Sequence, residues 1–432
     1  MNKIIAIWLL VCGIFSVPLF ASAAEPVWAG DWVGVAKTAR ENTRLKLTIT
    51  GSISDLKASM TLNDVGVSGW PIASITASAN KLQLTLPSDS GMQKMDFVLR
   101  NGTLVGKWVE PNQTEAASVI LKKAPGREPN TEKRILIDGP AGKIGASIIL
   151  PNQKGPWPAI VLLHGAGPLT RDTNRFAAQR FAELGIASII YDKRGTGESG
   201  GTLAGVSIDD LAADAIAVAE AMMAQVSVSK IGFSGHSQGG WVAGLAGSKW
   251  AKTGFIMTSA GPAVSPAREG HWTFVRTMRK NGASEATIGQ ARTVIEHWHD
   301  GIRTGDWREF DQSWKQAEKQ TWFKGSGLNY FAKKPDQAWA NSYKAHMDYD
   351  PIPAIKSSKV PYLAILSGED ESIDAMETRE ILEQLKKPNI SIRWYAGYDH
   401  TMRKTGKKGE QLRFPGHPAN YFEDQAKFIF KF

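Results

Sequence analysis

Cysteine is almost missing from this chain: Cys12 is the only one in 432 residues. It lies in an N-terminal apolar stretch, so everything after that stretch contains no thiol and no disulfide. Stability must then come from the size of the core. Long apolar runs are also missing beyond Phe20, which leaves no later segment able to span a bilayer. The charge is unbalanced, with a formal net of +9, yet Lys and Arg are scattered. The one compact cluster is Arg403, Lys404, Lys407 and Lys408. No recognition motif accompanies it, so nucleic acid is not an expected partner. Metal-ligand spacing is missing too: His297 and His299 are two apart and would leave a helix on different sides. The glycine-rich Tyr191–Gly201 lacks the Lys and Ser placement of a phosphate loop. Neither a metal nor a cofactor is expected.

The first residues, MNKIIAIWLLVCGIFSVPLFASAAEP, have one Lys, an apolar run from Ile4 to Phe20 and an Ala-Ser-Ala site at 21–23. This is the form of a secretory signal peptide spanning 1–24, removed after about Ala23 or Ala24. The expected location is outside the cytoplasm, in a bacterial periplasm or the medium, with no stable membrane insertion after cleavage.

Hydrophobic residues make up 42% and charged residues 22%, the balance of a globular chain with a large core. Two patterns follow one another. Residues 25–125 alternate apolar and polar positions, as in Arg44–Thr50 and Lys81–Leu86, and seven or eight such strands fit. Asn101-Gly102 sits between two strand-like runs and predicts a tight hairpin. This is an all-β unit, a small barrel or sandwich, ending at a Pro/Gly/charged linker, Lys122–Asn130. Trp28 and Trp32 are expected in its core, with stacking on a ligand as the alternative. From 131 to 432 strands and helices alternate, which predicts an α/β domain with a mostly parallel sheet. Ser207 with Asp210 predicts a capped helix start. Between 263 and 358 the alternation breaks for a helical insertion with six tryptophans, 272, 298, 307, 314, 322 and 339. Most should form the insertion's own core; some should face the ends of the strands as a lid. Asp306 with Glu309 resembles a further cap.

Gly235-His236-Ser237-Gln238-Gly239 is a G-x-S-x-G stretch between a strand and a helix, the pattern of a nucleophile elbow. A serine hydroxyl is a weak nucleophile and needs an oriented base. In such folds the partners follow the serine in the order acid, then histidine. Leu363–Asp374 places Glu369, Asp370, Glu371 and Asp374 straight after a strand. Asp370 is preferred and Glu371 is the alternative. His400 lies in the loop after the last strand, where the base belongs; His417 adjoins the final helix and should help start it. Backbone N–H groups of Ala166, in His164–Asp172, and of Gln238 are the candidate oxyanion donors. His164 should brace its loop, and Asp192 and Arg194 are read as structural.

HGAGP, YDKRGTGES, GHSQGG, GEDESI and YDHTM, in this order, resemble the α/β-hydrolase superfamily. They are most similar to exported bacterial esterases of the serine aminopeptidase/dienelactone hydrolase-like group, several of which carry a small N-terminal β-domain. The resemblance implies an α/β-hydrolase fold with a helical cap, Ser237 as nucleophile, Asp370 as acid and His400 as base. It also implies oxyanion donors at Ala166 and Gln238, and a small-molecule ester substrate. The chain departs from the family at one point. An acid commonly stands three residues after the glycine, whereas Gly368 is followed by Asp370 at plus two and Glu371 at plus three. A thioesterase or peptidase would use the same groups, and a binding protein on an inactive scaffold is a third reading. The tryptophan-rich insertion suggests a substrate with an apolar group.

Overall fold

The computed structural model describes residues 28–432 apart from 40, 89–90, 112–114, 125–129, 326–327, 329–333 and 408–411, and the side chain of Ser68. The expected signal peptide and most of the expected linker lie outside the described residues.

The N-terminal unit is one antiparallel sheet. Its strands are β1 (Gly30–Lys37), β2 (Asn42–Thr50), β3 (Lys57–Leu62), β4 (Val67–Pro71), β5 (Ser74–Ala77), β6 (Lys81–Leu86), β7 (Gln93–Arg100), β8 (Thr103–Val109) and β9 (Ala117–Lys123). Their order, β4-β3-β2-β1-β9-β8-β7-β6-β5, leaves β4 and β5 as edges. Only Ile72 and Ala73 separate β4 from β5, and their N–H groups donate to Ala58 O on β3 at 3.2 Å and to Thr85 O on β6 at 2.8 Å. The nine described strands thus curve into a half-barrel, in keeping with the small barrel or sandwich expected, where the sequence suggested seven or eight strands. Alternation works as expected: Leu45, Leu47 and Ile49 are buried on one face of β2. Asn101 and Gly102 adopt left-handed φ values of 46° and 72°, the turn that joins β7 to β8. Trp28 and Trp32 are core residues, 2% and 1% exposed, and Trp32 Nε1 donates to Trp28 O at 2.8 Å.

The second sheet has the order β10-β11-β13-β12-β14-β15-β16-β17. β10 (Thr131–Gly139) and β11 (Gly142–Leu150) form an antiparallel hairpin, and β11 pairs antiparallel with β13 (Ala187–Tyr191). The remaining strands, β12 (Trp157–Leu163), β14 (Val228–His236), β15 (Thr253–Ser259), β16 (Tyr362–Ser367) and β17 (Ile390–Tyr395), are all parallel. Helices α1 (Arg175–Glu183), α2 (Ile208–Gln225) and α3 (Gln238–Lys249) alternate with them. Ser207 and Asp210 make the reciprocal cap at the start of α2. This is the α/β-hydrolase fold. The chain crosses from one side of β12 to the other between β13 and β14. The C-terminal ends of β12 and β14 therefore lie side by side at a topological switch point, where α/β sheets bind ligands.

The insertion comprises α4 (Pro266–Lys280), α5 (Glu285–Thr304), α6 (Arg308–Ala317) and α7 (Gln337–Lys344). Phe274, Met278, Ile288, Ile295, Trp298 and Phe310 form its own buried core. It is fixed over the strand ends from two sides. Thr273 Oγ1 donates to Ser372 O at 2.8 Å, and Ser342 Oγ donates to Leu203 O at 3.3 Å. The expected cap at Asp306 differs in detail. Asp306 Oδ1 accepts from Arg308 N at 3.1 Å, while Glu309 faces His297 instead of reaching back. Helix α6 begins one residue too late for the spacing read from the sequence.

The segment after β17 joins the two units. Phe414 is 5% exposed within the half-barrel core, 5.4 Å from the Trp108 ring. Arg413 Nε pairs with Glu110 Oε1 at 2.8 Å, and Arg413 N donates to Glu41 Oε2 at 2.7 Å. His417, expected to help start the last helix, Tyr421–Lys431, stacks on the ring of Tyr421 at 5.1 Å. The Nδ1 of His417 faces Met402 O at 3.0 Å, and its backbone N–H donates to Asp64 O at 2.6 Å. The side chains of Arg413 and Glu110 are 5% and 15% exposed, so removing one partner strands a nearly buried charge. Arg413→Ala should lower stability by roughly 3 kcal/mol, measured by urea unfolding; a loss below about 1 kcal/mol would contradict this account of the joint.

Candidate active site

The elbow is built by close packing. Strand β14 ends at His236, α3 begins at Gln238, and Ser237 between them has φ 53° and ψ −122°. A left-handed φ at a non-glycine residue is strained backbone held by its surroundings. The surroundings here admit no side chain on either side: a Cβ at Gly235 would stand 1.8 Å from Gly239 O, and one at Gly239 would stand 2.7 Å from His164 O. As the first residue of α3, Gln238 has an N–H with no acceptor inside the helix.

Asp370 and His400 come from adjacent parallel strands, Asp370 after β16 and His400 after β17. His400 Nδ1 lies 2.9 Å from Asp370 Oδ1 and 3.0 Å from Oδ2. Asp370 Oδ1 also accepts from Ser372 N and Ile373 N at 2.9 and 3.0 Å, and Oδ2 accepts from Ser367 Oγ at 3.2 Å. The Asp-x-x-Ile spacing is thus the spacing of a turn closed on its own carboxylate. The Asp370 side chain is 1% exposed and that of His400 is 12%: the acid is sealed while the ring stays reachable. Glu371 approaches the backbone instead, accepting from His400 N at 3.4 Å. Burial lowers the His400 pKa, but the hydrogen bond and charge of Asp370, aided by Glu269 and Glu371, outweigh it and leave it raised. With Nδ1 on the carboxylate, Nε2 is the nitrogen left for a substrate or nucleophile.

Ser237 and His400 lie at the same end of the sheet. The ring of His236, next to Ser237, packs against the ring of His400 at 4.9 Å. Burial pushes His236 down to about 4, so it remains neutral at this contact. The loop after β12 meets the elbow directly, since Leu163 registers against Gly235. Ala166 sits exposed in that loop. His164 is buried, edge-on to Tyr191 at 5.0 Å, and burial pushes it down to about 4, which suits packing and not proton transfer. Asp192 accepts from Arg171 N, Nε and Nη2 and from Glu198 N, while Arg194 Nε pairs with Asp214 at 2.7 Å. Both are internal braces.

Two residues near the site were given no role by the sequence. Glu269, on α4, has a buried Oε2 with no hydrogen-bond partner. Burial pushes its pKa up to about 8, against the pull of His400 and with the help of Asp370. It is the insertion side chain whose charge reaches the pair, whereas Trp298, Trp307, Trp314 and Trp322 pack into the insertion's own cluster. Lys193 is the second, buried beneath the loop of Ala166. Among the described residues no group of three His, Cys, Asp or Glu side chains could hold a metal ion.

Comparison with known proteins gives related results. The family described as serine aminopeptidase, S33, matches residues 155–404, more than half of the chain. A non-heme chloroperoxidase of Burkholderia pyrrocinia is 26% identical over 253 residues, covering 56% of this chain and 85% of that protein. Esterase EstD of Thermotoga maritima is 21% identical over 279 residues, which span 63% of this chain and 60% of EstD. Among solved structures, an esterase of Pyrococcus furiosus has a TM-score of 0.44 at 15% identity, covering 71% of this chain and 95% of that one. An α/β hydrolase, GrgF, of a Penicillium species has a TM-score of 0.46 at 15% identity, covering 70% and 98%.

Proposed function

The chain belongs to the serine aminopeptidase, S33, family of α/β-hydrolases, and we propose that within it this protein is an exported carboxylesterase acting through an acyl-enzyme on Ser237. The observation that carries this reading is the sealed Asp370 carboxylate on His400 Nδ1, with the His400 ring packed against His236, the residue before a serine on a strained strand-to-helix turn. Ser237 Oγ attacks the ester carbonyl and passes its proton to His400 Nε2. Asp370 holds the ring with Nδ1–H toward it and stabilises the imidazolium. The oxyanion is taken by the N–H groups of Ala166 and Gln238. His400 returns the proton to the departing alcohol, then removes one from the water that attacks the acyl-enzyme and gives it to Ser237 Oγ as the acyl–oxygen bond breaks, and the carboxylic acid leaves.

The name of EstD, an esterase, supports ester over peptide. The unit before the hydrolase domain is a half-barrel of about 95 residues, Gly30 to Lys123, too small to be the large propeller that gates oligopeptidases. Trp298, Trp307, Trp314 and Trp322 pack within the insertion, so the proposal of an apolar acyl or alcohol group rests on the insertion's place over the strand ends. The test is a matched panel of p-nitrophenyl esters of two to ten carbons, a thioester and aminoacyl p-nitroanilides. The expected order is ester above thioester, with anilides at least about 100-fold slower and longer acyl chains faster than acetate. Fastest turnover on an anilide would replace the esterase reading with a peptidase.

A further inference from the structure

Lys193 stands in the glycine-rich turn after β13, and its side chain runs back under the loop that follows β12. It is 4% exposed. Its Nζ donates to Gly165 O at 2.9 Å, to Gly167 O at 3.3 Å and to Gln238 Oε1 at 2.6 Å. An ammonium has three N–H donors and no acceptor, so three oxygens use it fully. A neutral amine would leave one of them without a donor.

The identity of these oxygens matters more than their number. The carbonyl of Gly165 belongs to the same peptide unit as the N–H of Ala166, and in a trans peptide the two point in opposite directions. Holding Gly165 O on a buried cation therefore aims the Ala166 N–H the other way. It also polarises that amide, because a hydrogen bond at one end of a peptide strengthens the donor at the other. The same ammonium holds the side chain of Gln238, whose backbone N–H is the other donor. One cation ties together both segments that supply the oxyanion site.

We propose that Lys193 is a positioning residue that aims the N–H groups of Ala166 and Gln238 at the developing oxyanion; this rests on the serine-hydrolase reading above. The lysine acts on the transition state, where the oxygen carries charge, more than on the bound ester. The ionisable groups around it are His164, from the end of β12, and His346, from the insertion; the charge of Lys193 lowers both. The neighbouring Asp192 is committed to Arg171. Burial pushes Lys193 down to about 8. Its contribution is present below that pH and lost above it, giving an alkaline limb to kcat. Glu269 titrates in the same range, so the limb must be assigned by substitution.

The experiment uses the full chain, a p-nitrophenyl ester and a trifluoromethyl ketone, which adds to the serine and places an oxyanion in the same site. Lys193→Met should lower kcat roughly 10- to 100-fold, at or below the 10²–10³ that follows outright loss of an oxyanion donor. KM should stay within about threefold, and affinity for the ketone should fall by the same factor as kcat/KM. Lys193→Arg should keep kcat within about fivefold of the wild type and lose the alkaline limb near pH 8. The proposal is overturned if Lys193→Met keeps kcat within twofold, or if ketone affinity is unchanged while kcat falls. Should Lys193→Met fail to fold, Lys193→Arg in a Glu269→Gln background decides: an alkaline limb unmoved from that of the Glu269→Gln single variant overturns the proposal. Fluorophosphonate labelling of Ser237 in the wild type separates the two readings, since a labelled Ser237 with a silent Lys193 removes only the clamp.

Discussion

Ser237→Ala should abolish ester hydrolysis, lowering kcat by roughly 10⁴-fold or more while leaving KM and melting temperature nearly unchanged. The size follows from the mechanism: without Oγ there is no acyl-enzyme, and what remains is the background that an oxyanion site and bound water can support. The fold should tolerate the change. The backbone strain at φ 53° is set by the contacts of Gly235 and Gly239 with their neighbours, not by the hydroxyl. Alanine accepts a left-handed φ no worse than serine does. A variant that turned over p-nitrophenyl acetate at the wild-type rate would move the chemistry to another residue.

Asp370→Asn should cost about 10⁴-fold in kcat, and Glu371→Gln less than about tenfold. The analogous Asp→Asn change in a Ser-His-Asp triad leaves geometry intact and costs 10⁴, because the amide selects the wrong tautomer of the histidine. Asp370 receives His400 Nδ1, while Glu371 receives only the backbone N–H of the same residue. The pH profile adds a second readout. Asp370 contributes both the hydrogen bond and the largest charge that raise the His400 pKa. Removing that charge lets the base lose its proton at lower pH. The acid limb of the residual kcat/KM should therefore move to lower pH in Asp370→Asn. Equal losses in the two variants would make the acid assignment wrong.

The elbow could be read from the sequence because its requirements are local. A strand, a turn with glycine two residues to each side of a serine, and a helix are consecutive in the chain, from Val228 to Lys249. The capping pair Ser207 and Asp210 and the hairpin at Asn101-Gly102 were legible for the same reason. The choice of Asp370 over Glu371 rested on the Asp-x-x-Ile spacing, which the turn closed by Ser372 N and Ile373 N accounts for.

What could not be read depends on contacts between distant segments. Lys193 looks like a surface lysine in a glycine-rich turn, yet its acceptors lie 26 to 45 residues away. Glu269 sits in a helix whose periodicity reports only the insertion's own core. Arg413 and Phe414 read as a loop, because the half-barrel that receives them comes from about 300 residues earlier.

The most direct test of the central claim is to label the purified protein with a fluorophosphonate and map the adduct. Trypsin should release Ile231–Lys249, a peptide with serines at 234, 237 and 248. The account predicts one adduct on this peptide, located by fragmentation at Ser237, with loss of esterase activity in step with labelling. An adduct on any other residue, or full activity in the labelled protein, would contradict it.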